Sequence, residues 1–235
     1  MKQRTILTAL SVIIAATGAL RAGGLQTQKP TVEIPKPGVP QIMTIEGDFI
    51  RAAYNNEGYV IIGYRIANNS IGEEWLMLEV GATMRQGNPN YTMPRSALSL
   101  TTPDGNKVPM PTNEEYLQVN LIALQNRAKV MHDSIDYFPP TVSRGGRMGF
   151  FSDLGTRTRS YDQVELSPQV ATAGRVFFKV PGGIKYGQHW LNVQFKDSLV
   201  RVPFRILTAE EEKLLSKNYK DIRKQVQEAF SPKKN

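Results

Sequence analysis

From residue 58 the chain reads GYVIIGYRIANN, and Val60, Ile62, Tyr64 and Ile66 alternate with Ile61, Gly63, Arg65 and Ala67. A period of two marks a strand with one face turned to a core. The pattern returns in EWLMLEVGATM, where Leu76, Leu78, Val80 and Ala82 share a face. In ALSLTTPDGNKVPM, Asp104-Gly105 is a tight-turn signal between two short strands. GRVFFKVPGG, HWLNVQF and LVRVPFRI follow, and the last two read as a hairpin across residues 196–198. In the final strand Val200, Val202, Phe204 and Ile206 face inward, with Arg201, Pro203 and Arg205 outward. A proline on the outer side suits an edge strand. About seven to nine such strands joined by turns predict an antiparallel β-sandwich over residues 41–207.

Two segments leave that period. Leu117, Leu121, Leu124, Ala128, Met131 and Ile135 recur at spacings of four and three, and Thr112 with Glu115 forms a capping box. They predict a helix inserted between strands over 112–135. Thr208 with Glu211 repeats the box ahead of a second helix, 208–230, whose stripe is Leu215, Tyr219, Ile222, Val226 and Phe230. Glu210, Glu211 and Glu212 open it and basic residues dominate later, as the helix dipole favours.

Composition changes the picture at the N-terminus. Lys2 and Arg4 precede an uncharged, mostly apolar stretch over 5–20, with small residues offering cleavage after Ala19 or Ala22. The stretch is shorter than the roughly 20 residues that cross a bilayer comfortably, so 1–22 reads as an export signal, an uncleaved anchor being the alternative. Pro30, Pro35, Pro37 and Pro40 make 23–40 an extended linker. The mature chain is then a soluble periplasmic or secreted protein with no transmembrane segment. Losing Lys2, Arg4 and Arg21 lowers the formal charge from +8 to +5, too small an excess for a nucleic-acid binder. It suits an acidic protein, an anionic glycan or a phospholipid surface. With no cysteine, disulfides and thiolate chemistry are excluded.

Three pieces carry a family resemblance: YVIIGYRIANNS, LSLTTPDGNKVPM and ATAGRVFFKVPGG. They resemble strands of secreted bacterial immunoglobulin-like domains of the telokin-like type. The resemblance implies a mainly β, immunoglobulin-like sandwich acting as a non-enzymatic binding or assembly module, with no catalytic residues to carry over. The inserted helix, an arginine-rich loop and the terminal helix depart from that pattern.

Candidate chemistry is sparse. The two histidines are His132 and His189, and no nucleophile elbow or metal-ligand spacing accompanies them. His132-Asp133-Ser134 are consecutive, and triads are assembled across a fold. No metal and no cofactor is expected. Glu73, Glu74, Asp133 and Asp136 supply carboxylates for a glycan-cleaving enzyme, the least favoured reading. The loop SRGGRMGFFSDLGTRTRSYD over 143–162 holds Arg144, Arg147, Arg157 and Arg159, whose forks suit carboxylate or phosphate. Phe150 and Phe151 would add an apolar anchor if exposed, and are otherwise the two sides of a short strand. The expectation is a non-catalytic periplasmic or cell-surface assembly subunit that contacts an envelope protein through this loop and the terminal stripe. A module for an anionic glycan or phospholipid headgroup, gripped by the arginines, is the alternative.

Overall fold

A computed structural model describes residues 41–152 and 158–230, the side chains of Gln227, Ala229 and Phe230 aside. The export signal, the linker and Arg157 lie outside the described residues.

The chain is mainly β, with more strands than the alternation marked. One sheet takes β1 (Ile42–Gly47), β2 (Ile50–Tyr54), β3 (Gly58–Gly63) and β4 (Trp75–Met84) in order. Between the sheets' strands come β5 (Tyr91–Pro94), β6 (Leu98–Thr101), β7 (Lys107–Pro109), β8 (Ser143–Arg147) and β9 (Gln163–Leu166). The chain closes with β10 (Val170–Lys179), β11 (Gly187–Gln194) and β12 (Leu199–Ile206). The first sheet continues from β4 through β10 to β8, a second runs β12-β11-β6-β7, and β5 pairs with β9. Every pairing is antiparallel except β8 on β10, which is parallel. Val60, Ile62, Leu78 and Val80 of the first sheet join Leu100, Leu191, Val193, Val202 and Phe204 of the second in one hydrophobic cluster. β12 is an edge strand, but its Pro203, expected to face outward, is buried, and the Gln41 side chain pairs with both backbone groups of Arg201 there.

Alternation implies one wet face, yet β3 is buried at all 6 positions. The reason is a strap over residues 131–139 on the sheet's outer side. Ile135 and Phe138 close over Ile50, Ala52, Tyr59 and Ile61, and Tyr59 donates its hydroxyl to Tyr137 O at 2.7 Å. Gly81 makes room, since a Cβ there would sit 2.5 Å from Phe138 Cζ. Asp133 pins the strap: its carboxylate accepts Arg65 N and Nε, each at 3.0 Å, and its N–H donates to Glu79 at 2.7 Å. Burial pushes both carboxyls above their ordinary range, against those hydrogen bonds.

The strap also corrects the helix expected over 112–135. Two short helices stand there, α2 (Asn113–Leu117) and α3 (Ile122–Val130), after a single turn, α1 (Arg65–Asn68), that ends the β3 segment. The Thr112 capping box forms, with Glu115 N donating to Oγ1 at 3.1 Å and Thr112 N to Oε2 at 2.8 Å. Asn120 Oδ1 then accepts Ile122 N at 3.2 Å, which starts a second helix in a new phase. Leu121, Leu124 and Ala128 stay buried while Leu117 is exposed. Ile135 belongs to the strap.

The terminal helix α4 (Ala209–Phe230) begins at Thr208, whose N–H donates to Glu211 and whose Oγ1 accepts Glu211 N. It packs on β1: Tyr219 donates to Ile45 O at 3.5 Å and Arg223 meets Glu46 at 3.1 Å.

Candidate functional site

At one end of the two sheets, the β6–β7 hairpin, the turn after β10 and the start of β11 surround a pocket of about 450 Å³. The size falls in the range of small-molecule sites, about 300–1,000 Å³. The Asp104-Gly105 turn shapes its mouth, Gly105 taking the left-handed φ of 82°. Buried Val108, Met110 and Val180 give it apolar walls. Its charged lining is Lys107, Lys179 and Lys185, with Asp104 and Glu115. Lys185 is held by Asp104 at 2.6 Å, and Glu115 is engaged in the α2 capping box. Lys107 and Lys179 have no ion-pair partner among the described residues. Both lysines are exposed, while Val108, Met110 and Val180 in the same lining are buried.

His189 lies in the lining, fully buried and stacked on Phe204 at 5.3 Å. Its register with Leu191 and Val193 turns it inward from β11. Burial pulls its pKa from 6.5 down to about 4, outweighing the opposite pull of the Gly187 carbonyl and Asp104. The ring is therefore neutral at pH 7. Nδ1 meets Gly187 O at 3.0 Å, and buried Nε2 has no partner in the structure.

The arginine loop is organised differently from the expectation. Phe150 and Phe151 are 0% and 4% exposed, so neither is a surface anchor, and no strand runs through them. Phe151 packs with Tyr116 and Phe177 at 4.9 and 5.2 Å. Arg95, which sequence reasoning passed over, gathers this region: it donates to the carbonyls of Pro111, Phe150 and Tyr161 and lies over both phenyl rings. Arg147 donates to Arg159 O at 3.0 Å and Phe151 O at 3.3 Å. Arg144 donates to Asp136 O at 2.6 Å, with its Nε 3.5 Å from the Asp136 carboxylate. Arg159 is exposed. Arg144 and Arg147 thus brace their own loop.

The stripe of α4 is likewise spent on its own domain: Leu215 and Val226 are buried, Tyr219 and Ile222 half-buried. Phe230 carries no side-chain description. Large apolar exposure lies instead on α2 and α3, at Leu117 (54%), Ile122 (57%) and Val130 (83%). Among the carboxylates weighed for sugar cleavage, Glu73 is gripped by Arg127 at 2.6 Å, Asp133 by Arg65, and Asp136 faces Arg144. Among the described residues no group of three His, Asp or Glu could hold a metal ion.

The pocket joins residues from 102 to 189, and that convergence is long-range. Two local signals existed: the Asp-Gly turn, and a histidine in phase with Leu191 and Val193 in HWLNVQF. Comparison with family models, curated proteins and solved structures gives no match to this chain.

Proposed function

We propose that the protein is an exported, non-catalytic binding subunit of the cell envelope, built on an immunoglobulin-like sandwich, that holds an anionic ligand in its end pocket. The carrying observation is that Lys107 and Lys179, without an ion-pair partner among the described residues, line one pocket with the buried Val108 and Val180. The sandwich reading is supported by two sheets, antiparallel but for β8 on β10, that share one core. Export is supported by the basic start and apolar stretch before residue 22. The anion site moves from the arginine loop to the pocket because Arg144 and Arg147 already serve carbonyls and Asp136.

An NMR titration with glucuronate tests the reading. Shifts are expected at the amides of 102–107 and 179–189, and Lys107→Ala with Lys179→Ala should weaken binding at least tenfold, an amount equal to about 1.4 kcal/mol. Rising salt should weaken it as well. Shifts centred on Arg144, Arg147 and Arg159 would return the site to the loop.

A second reading, contact with an envelope protein, has the exposed Leu117, Ile122 and Val130 on its side. Ile122→Glu should abolish such a contact and leave glucuronate binding untouched.

A further inference from the structure

One buried group at the pocket is left unexplained by the lysines. His189 Nδ1 faces the Gly187 carbonyl, and a carbonyl only accepts, so in the neutral ring Nδ1 carries the proton. Nε2 is then a bare lone pair, buried and unpartnered. Buried acceptors of that kind are rare in folded proteins, because the lost water contact is not returned. A ligand consisting only of an anion would leave it so, since a carboxylate has no hydrogen to offer.

We infer that the pocket takes an acidic sugar unit, its carboxylate on Lys107 and Lys179 and one of its hydroxyls donating to His189 Nε2. The inference rests on the anion-pocket reading above and names its ligand class. A sugar acid matches each part of the lining. Its carboxylate meets free ammonium groups, its C–H face meets Val108, Met110 and Val180, and its hydroxyl meets His189 Nε2, a buried acceptor without a donor. Nε2 has no open surface in the unliganded chain, so a side chain of the wall moves aside when the ligand seats. Met110, unbranched and set in that wall, has the adaptability for this. The Asp104–Lys185 pair at the mouth keeps Asp104 from repelling the incoming anion.

The test compares two ligands of one shape on the full-length protein. Glucuronate and cyclohexanecarboxylate share a six-membered ring and a carboxylate, and only glucuronate has hydroxyls. Glucuronate should bind up to about tenfold more tightly, the worth of one hydrogen bond to a buried acceptor. In a long-range 15N spectrum of the native protein, the Nε2 resonance should move on saturation with glucuronate and stay still with cyclohexanecarboxylate. His189→Phe should erase the preference, and the native spectrum decides the matter even if that variant folds poorly. Equal affinities with an unmoved Nε2 overturn the sugar assignment while the anion pocket stands. No binding of either compound overturns both. Glycerol 3-phosphate, the headgroup chemistry of an anionic lipid, is the third probe; tighter binding of it than of glucuronate also overturns the sugar assignment.

Discussion

Acid should unfold this protein partly through His189. Its imidazole is neutral in the fold because burial lowers its pKa from 6.5 to about 4. The unfolded chain therefore takes up this proton first as pH falls. The stabilising contribution is complete above pH 6.5 and drains away between 6.5 and 4. Linkage over that shift gives a loss of about 2 kcal/mol by pH 5 and about 3 kcal/mol by pH 4. Glu79 and Asp133 act in the opposite sense, since burial raises their carboxyl pKa values and protonation relieves them. The comparison that isolates His189 is urea unfolding of the native protein and His189→Phe at pH 7 and pH 5. Phe keeps the ring on Phe204 and removes the titration, and the carboxylates cancel between the two proteins. The native chain should lose about 2 kcal/mol more than the variant on going to pH 5. Equal losses would refute the claim that the imidazole is neutral and desolvated in the fold.

Other expectations follow from packing. Leu215→Ala should cost about 2–5 kcal/mol by denaturant unfolding, because α4 is part of its own domain's core, whereas exposed Leu117→Ala should stay within about 0.5 kcal/mol. Arg95→Leu leaves the carbonyls of Pro111, Phe150 and Tyr161 without their donor. A loss of about 3 kcal/mol and faster proteolysis near residues 148–162 should result. Gly81→Ala drives a methyl into Phe138 and should cost about 1–3 kcal/mol, with faster hydrogen exchange confined first to the strap.

Local rules made much of the architecture legible. Strand faces such as Leu76, Leu78, Val80 and Ala82 are set by a period of two, and both capping boxes form where Thr112 and Thr208 announce them. The Asp104-Gly105 turn is similarly local. The short strands β5, β8 and β9 escaped because each has only 4 or 5 residues, too few for a period to stand out, and is specified by its partner. The helix over 112–135 failed for a related reason. Its apolar spacing was real, but Ile135 satisfies the outer face of the first sheet, and Asp133 is drawn to Arg65 and Glu79.

What a side chain is for was settled by residues far away in the chain. Phe150 and Phe151 look like an interface motif in sequence and are core, because Tyr116, Phe177 and Arg95 arrive around them. The apolar stripe of α4 could have met any partner, and β1 was nearest. Lys107, Lys179 and His189 carry no local signature of a site. They come to line one pocket only when the sheets pack, since free charge and an unpaired lone pair are properties of an environment rather than of a residue type.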